Sequence, residues 1–485
     1  MTENKEDKIV IFITIDALRP DHLNSYGYHR NTAPHLDNFI RNGTKFTDAY
    51  TNGAATPSSF SAIFSSILPY LNGGYSPLPL EKLIFPQILQ ENRIHTIGIH
   101  SNPNLSKFFN YGRGFDIFLD GERYKENKDV KKTLSTKNTC YSLIRKILNY
   151  KGLFNKIIFN IPFFNKIKSS LRNKIPKITD LLLPFTPMAY NAPYIVNKVI
   201  DLLKKNKAPL FLWMHFMDAH SPYNPPTKFV ERFRKKDFTL SERKFLIEPI
   251  YHMNAQVPIS PKNIEDLKVL YDAEISFIDD SLKALFSFIN KNLNQKCLVI
   301  ITSDHGESFY EHNTFGHQGS VYDELLKIPL FIREMGEDQN PKSSKNFVQL
   351  IDIAPTILNY FNLDIPEDFQ GINIFSVLNG KELERKELLI TECYQKGGVM
   401  KRNNDEGFKL ISIRTPDWKY IIDEEKGSEF LFNLKNDPVE KYNLIDVNKE
   451  ELLNFRIIKD YHLQKVSEKD EKSRIVDTLK NLNID

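Results

Sequence analysis

The chain is poor in the residues that staple small folds and in the runs that cross membranes. Its 485 residues include three cysteines, Cys140, Cys297 and Cys393, far apart and in no metal-ligand spacing, which excludes a disulfide framework. Cys297 heads an apolar run and reads as a small buried hydrophobe. No stretch of about eighteen apolar residues is uninterrupted, so no spanning helix is expected. Residues 1–8 are hydrophilic and lead straight into an apolar run, leaving no room for a signal peptide, and a cytoplasmic, reduced protein is the expectation. Excess charge is missing too: 65 Lys and Arg stand against 61 Asp and Glu, a net charge of +4. That balance gives no reason to expect a nucleic-acid partner.

The apolar fraction is an ordinary 41%, enough for a substantial core. The length suggests one large domain plus a smaller one. Within it, two short acidic segments nearly three hundred residues apart carry the most information. They are Ile15-Asp16-Ala17-Leu18-Arg19-Pro20-Asp21-His22 and Thr302-Ser303-Asp304-His305-Gly306-Glu307, and each directly follows a β-branched, apolar run. Such runs read as strands buried on both faces of a parallel sheet. If both strands lie in one sheet, Asp16, Asp304 and His305 emerge together at its carboxyl edge, where open α/β sheets bind ligands. Two carboxylates and an imidazole there point to a metal site.

A third run, from Pro209 to Phe216, leads into Met217-Asp218-Ala219-His220-Ser221-Pro222-Tyr223. A helix is expected from Thr32-Ala33-Pro34 onward, with Leu36, Phe39 and Ile40 on one face. Another is expected to start at Ser58 or Ser59, with Thr56-Pro57-Ser58-Ser59 supplying N-cap hydroxyls and a first-turn proline. Helical spacing returns from about Ile264 to Ile289. After Gly380 short strands at Leu388-Ile390, Phe408-Arg414 and Trp418-Ile422 predict a small antiparallel sheet, followed by a charged, helix-prone tail. Residues 125–177 hold fourteen Lys and Arg against two acidic residues, interleaved with apolar ones. This basic amphipathic composition fits a solvated face on an inserted hairpin, or docking on an anionic membrane surface or an acidic glycan, with nucleic acid the remaining alternative.

Read together, these segments resemble the sulfatase branch of the alkaline phosphatase superfamily. The markers are Asp16 to His22 with Tyr26-Gly27-Tyr28, Thr32 to Asp37 with Gly43-Thr44-Lys45-Phe46, and Ala55-Thr56-Pro57-Ser58-Ser59-Phe60-Ser61. Further along come His215 to Tyr223, Ser303 to Glu307, Gly316-His317-Gln318-Gly319 with Tyr322-Asp323-Glu324, Asp352-Ile353-Ala354-Pro355-Thr356, Trp418-Lys419-Tyr420 and Leu434-Lys435-Asn436-Asp437-Pro438. The resemblance implies a doubly wound, mostly parallel α/β sheet flanked by helices over residues 1–380, with the basic insertion at about 125–180, and a smaller α+β subdomain over 381–485. It also implies that Asp16, Asp304, His305 and Thr56 hold one divalent metal, and that Thr56 is the nucleophile that forms a covalent intermediate. His220 and His317 become candidates for binding the anion and protonating the leaving oxygen, and Asn102 for contacting the anion. Arg19 is expected to support Asp16 through hydrogen bonds. Asp218 and His215 are candidates for a second metal.

The chain departs from the family where the chemistry is decided. Typical sulfatases carry a cysteine or serine that is oxidised to formylglycine, followed by proline and arginine. Here the stretch is Thr56-Pro57-Ser58-Ser59, and no formylglycine is expected. A formylglycine hydrate expels sulfate by collapsing to an aldehyde, whereas a threonine ester must be broken by attack at sulfur or phosphorus, which is easier to picture for phosphoryl transfer. Ala17 replaces a second aspartate, and His305 brings nitrogen, which favours zinc or manganese over calcium. Threonine with one metal also resembles the lipid-linked phosphoethanolamine and phosphoglycerol transferases of the superfamily, so phosphodiesterase or phosphotransferase action on a lipid-linked or glycan ester is the alternative. A binding protein for glycans or membranes that lost catalysis is a third reading, opposed by the intact acidic and histidine set.

Overall fold

The computed structural model describes residues 7–72, 77–121, 190–252, 260–293, 297–317, 319–336, 342–380, 383, 387–395 and 408–481. The basic stretch at 125–180 and its expected membrane or glycan contact lie outside these. Both acidic segments do end strands of one sheet. Its members in chain order are β1 (Ile9–Ile15), β2 (Thr44–Phe46), β3 (His95–Ile99), β4 (Ile117–Leu119), β5 (Leu210–Phe216), β6 (Cys297–Ser303), β7 (Leu330–Met335) and β8 (Lys342–Ser344). Across the sheet they run β8-β2-β7-β6-β1-β5-β3-β4. All neighbouring pairs are parallel except those made by β7, which runs against both β6 and β2.

The central position of β1 decides where the chemistry lies. In register, Ile15 stands beside Phe216 on one side and Ser303 on the other. Residues Asp16, Met217 and Asp304 therefore leave the sheet side by side, at a point where the strand order reverses. β1, β5 and β6 are apolar on both faces because helices cover both, as expected of buried parallel strands. Flanking elements include α1 (Pro34–Ile40), α2 (Thr56–Ser65), α3 (Ala192–Lys205) and α4 (Pro261–Asn292). α4 is started by Ser260, whose side chain accepts from the Asn263 amide, and by Pro261 in the first turn. It then supplies Tyr271 and Asp272 to the back of the site.

α2 is buried along its whole length. It begins at Thr56, two or three residues earlier than the hydroxyl-capping pattern predicts, with Ala55 in the capping position and no side-chain cap. The serines turn to other acceptors: Ser58 and Ser59 donate to the Ala55 and Gly53 carbonyls, and Ser61 and Ser65 donate within the helix. A Cβ on Gly53 would stand 2.3 Å from Ser58 Oγ, so only glycine admits this entry. Below α2 an aromatic cluster packs Phe60 and Phe64 on Trp213, each at 5.2 Å between ring centroids.

The C-terminal sheet is antiparallel as expected, with β9 (Leu389–Gln395), β10 (Phe408–Arg414), β11 (Trp418–Asp423) and an additional strand, β12 (Ser428–Asn433), in sequential order. α5 (Lys449–Asn481) forms the tail. A largely buried ion network ties this sheet to the short helix at Asp323–Leu326, just ahead of β7. Lys419, with no exposed surface, reaches Asp323 at 2.7 Å and Glu440 at 2.6 Å, while Arg414 reaches Asp323 at 2.6 Å. Nearby, His312 binds Glu324 at 2.7 Å and the Glu440 carbonyl at 3.1 Å. Among the described residues no helix is long and apolar enough to cross a membrane.

Two stability effects follow. Lys419→Met leaves the buried Glu440 carboxylate without its cation and Asp323 with Arg414 alone, and is expected to cost about 3–5 kcal/mol, read as a fall in the denaturation midpoint; an unchanged midpoint contradicts the network's role. Burial opposes the His312 cation, but Glu324 outweighs it and the pKa is raised above 6.5. Its stabilisation is therefore complete below pH 6.5 and is lost as pH rises through the folded value. The gap in Tm between the wild type and His312→Gln should shrink on that side only.

Candidate metal and ester-cleavage site

Two aspartates with no exposed surface face each other at the end of β1 and β6. Asp304 Oδ1 accepts from the Ala17 and His305 amides at 3.2 and 3.0 Å. Asp16 Oδ2 accepts from Asn102 Nδ2 at 3.1 Å and lies 3.1 Å from His215 Nε2. The other oxygen of each, Asp16 Oδ1 and Asp304 Oδ2, has no hydrogen-bond partner. Both bare oxygens face His305 Nε2, at 3.6 and 3.5 Å. Thr56 Oγ1 completes the group, 3.3 Å from His305 Nε2 and 3.4 Å from Asp16 Oδ2.

These separations suit a cation better than they suit one another. Ligands bonded to a tetrahedral zinc stand about 3.4 Å apart, whereas charge-assisted hydrogen bonds close to about 2.8 Å. The His305 tautomer agrees: its Nδ1 is 2.8 Å from the Gly306 carbonyl, so the proton sits there and Nε2 keeps a lone pair for a metal. Burial pushes the Asp16 carboxyl up, but the imidazoles of His220, His215 and His305 pull it far below the ordinary carboxylate range. The donor set of two carboxylate oxygens, one imidazole nitrogen and one hydroxyl therefore fits a divalent cation.

Among the described residues, Asp16, His215 and Asp304 also offer ligand atoms within 4.8 Å of one another. His215, however, faces the anchored oxygen of Asp16, whereas His305 faces the two bare ones. Asp218 lies outside that group of three; its Oδ1 accepts from the Ala192 amide at 3.2 Å, its Oδ2 has no hydrogen-bond partner, and burial raises its pKa to about 7.

The turns that shape the site are specific. Ala17 adopts φ 57°, which swings the chain from Asp16 into the 3-10 turn at Pro20–His22. Tyr271 Oη holds that turn, donating to the Ala17 carbonyl at 2.7 Å and accepting from the Arg19 amide at 2.8 Å. A Cβ on Gly306 would stand 2.0 Å from the Glu324 carbonyl, so glycine lets the His305 loop pack against the backbone of residues 323–326.

His317 and His220 extend the site outward. The His317 ring lies 4.3 Å from that of His305 and 4.8 Å from that of His220. Glu307 holds His317 Nδ1 at 2.9 Å and takes a hydrogen bond from Tyr223 at 3.0 Å. Burial opposes the Glu307 charge, but His317 outweighs it and lowers the carboxyl pKa. His220 Nδ1 bonds the Ser221 carbonyl. Each ring is thereby oriented through Nδ1.

Asn102 donates one amide hydrogen to Asp16 while its oxygen accepts from the Asn104 amide at 2.9 Å, which leaves its second amide hydrogen for the anion contact expected of it. One expectation shifts. Arg19 does not support Asp16; it pairs with Asp21 at 2.7 Å and Glu311 at 2.6 Å and donates to the Glu307 carbonyl at 2.8 Å. The turn at Ala17 points Arg19 away from Asp16 and across the second acidic loop. Glu307 and Tyr223, which orient His317, were not singled out from the sequence, although Glu307 lies inside the marker segment and Tyr223 inside another.

Residues 8–363 match the family described as Sulfatase, and residues 310–469 match the one described as N-sulphoglucosamine sulphohydrolase, C-terminal. An arylsulfatase of Clostridium perfringens is 23% identical over 474 residues, covering 90% of each chain. Human arylsulfatase K is 27% identical over 198 residues, which cover 40% of this chain and 36% of that one. In fold, the chain is similar to BT4656 in complex with its substrate D-glucosamine-2-N,6-O-disulfate, with a TM-score of 0.67, 16% identity, and 96% and 98% of the two chains covered. It is equally similar to the phosphonate monoester hydrolase of Agrobacterium radiobacter, with a TM-score of 0.68, 17% identity, and 95% and 96% covered. The first of these matches spans most of the chain and takes in every strand of the main sheet, so the chain belongs to the sulfatase family and is an ester hydrolase with an alkaline phosphatase-like fold.

Proposed function

We propose that this hydrolase cleaves phosphate or sulfate esters by attack of the Thr56 hydroxyl, with the phosphoryl reaction preferred. The observation that carries the reading is the convergence of Thr56 Oγ1 with His305 Nε2 and Asp16 at 3.3 and 3.4 Å, beside two carboxylate oxygens that lack any partner. A divalent cation held by Asp16, Asp304, His305 and Thr56 would lower the pKa of the Thr56 hydroxyl and neutralise a non-bridging ester oxygen. The donor set favours zinc or manganese, with calcium the weaker fit.

The protein's own groups account for the remaining steps. Thr56 sits in the first turn of α2, whose N-terminal end favours an anion. The hydroxyl gives up its proton to solvent and its oxygen bonds to phosphorus or sulfur as the bond to the leaving oxygen breaks. That oxygen takes a proton from His317 or His220, the two rings beyond His305. Water then attacks the same phosphorus or sulfur, returning a proton to that histidine, as the bond to Thr56 breaks and its oxygen takes a proton back from solvent. No aldehyde can form from threonine, so sulfate release by collapse of a hydrate is closed to this site and formylglycine plays no part.

Relatives support both ester classes: BT4656 binds a sulfated glucosamine and the Agrobacterium protein is a phosphonate monoester hydrolase. The substrate we infer is an anionic ester on a glycan or a lipid-linked group, with phosphodiesterase or phosphotransferase action included.

Assays on aryl sulfate, aryl phosphate, bis-aryl phosphate and aryl phosphonate esters, with zinc, manganese or calcium added, test this. Turnover of the phosphorus esters is expected, best with zinc or manganese, and hydrolysis of the sulfate alone would overturn the preference. Thr56→Ala should lower kcat by about 10³-fold or more, and an active variant would remove Thr56 as nucleophile.

A further inference from the structure

We infer that His215 is a positioning residue that turns Asp16 towards the metal, through a one-way hydrogen-bond relay from Trp213 and Thr14. The inference rests on the metal-site reading above and assigns a role to a residue whose two nitrogens are otherwise unexplained. Four side chains make the relay, Trp213 and His215 from β5, Thr14 from β1 and Asp16 just past its end. Trp213 Nε1 lies 3.0 Å from Thr14 Oγ1, Thr14 Oγ1 lies 2.9 Å from His215 Nδ1, and His215 Nε2 lies 3.1 Å from Asp16 Oδ2. His215 and Thr14 have no exposed surface, so water does not enter the relay from the surface.

Donor capacity fixes the direction at both ends. An indole N–H can only donate, so Thr14 Oγ1 accepts from Trp213. An ionised carboxylate can only accept, so Nε2 must carry the proton that faces Asp16. In a neutral ring Nδ1 is then an acceptor, and its donor is the Thr14 hydroxyl, which lies nearer to it than to the Met214 carbonyl at 3.2 Å. The opposite tautomer would set a nitrogen lone pair against a carboxylate oxygen at 3.1 Å.

Two consequences follow for the site. With Nε2 protonated, His215 cannot serve as a metal ligand, although it stands within 4.8 Å of Asp16 and Asp304. And because His215 and Asn102 hold Oδ2, the bare Oδ1 is presented to His305 in one orientation. Hydrogen bonds to a ligating carboxylate are commonly worth about 10–100-fold in metal affinity.

The test is equilibrium titration of the full chain with zinc alone and with manganese alone, by chelator competition, on variants of the relay. His215→Leu should bind one equivalent about 10–100-fold more weakly than the wild type. His215→Gln, whose amide N–H reaches the place of Nε2, should recover affinity to within about threefold of the wild type, because it donates to Asp16 yet is a poor ligand. Thr14→Val should weaken binding in the same direction, which keeps the test available should His215→Leu fail to fold. Wild-type affinity in both His215→Leu and Thr14→Val overturns the relay. Equal weakness in His215→Gln and His215→Leu also overturns it and makes His215 a direct ligand. Asp304→Asn marks the other failure: if it binds metal like the wild type, the site itself is misplaced and the inference falls with it.

Discussion

Two fully buried carboxylates, each with one oxygen anchored and the other bare, set the terms for the rest of this molecule. Leaving an ion unpaired inside a protein costs several kcal/mol, and two of like sign side by side cost more. The fold offsets part of this with directed donors: backbone amides on Asp304, Asn102 and His215 on Asp16. It does nothing of the kind for Asp16 Oδ1 and Asp304 Oδ2. A site so thoroughly organised on one side and left open on the other fits a cation.

The architecture explains how residues so distant in sequence share that point. β1 lies between β5 and β6 in matched register, so a residue one step past each strand end enters the same small volume. Close backbone approach then does the shaping. Gly53 admits the entry to α2 and with it Thr56, Gly306 lets the His305 loop pack against residues 323–326, and the left-handed turn at Ala17 sends Arg19 elsewhere. The outer histidines are held by a different set of partners. Glu307 and Tyr223 orient His317, whose ring lies 4.3 Å from that of His305.

Much of this was legible in the sequence because burial on both faces leaves an unmistakable mark. The apolar runs ending in Asp16 and Asp304 announced two central strands, and the run ending before His220 announced the third. Asp16, Asp304, His305 and Thr56 do come together. What sequence pattern missed is instructive. The start of α2 was placed late because hydroxyl residues suggest caps, yet its serines bond to backbone carbonyls instead. Proximity in sequence pairs Arg19 with Asp16 but says nothing of the turn between them. The relay behind Asp16 was invisible as well. Thr14 looks like one more β-branched strand residue and Trp213 like core, and only the pairing of β1 with β5 reveals their shared hydrogen bonds. Strand β12 carried little signal, because Ser428–Asn433 is short and sits among polar turns.

Family membership leaves the identity of the transferred group open, and position 56 is where that question is decided. A Thr56 nucleophile, as proposed, would commit the site to displacement at phosphorus or sulfur, and the whole proposal depends on its oxygen sharing a cation with the bare carboxylate oxygens. The most direct measurement is anomalous diffraction from crystals grown with zinc or manganese, recorded on both sides of the metal edge. The account predicts a single peak bonded jointly to Asp16 Oδ1, Asp304 Oδ2 and His305 Nε2, with Thr56 Oγ1 in its coordination sphere. A peak bonded to His215 Nε2, or one that leaves Thr56 Oγ1 beyond bonding reach, would contradict it.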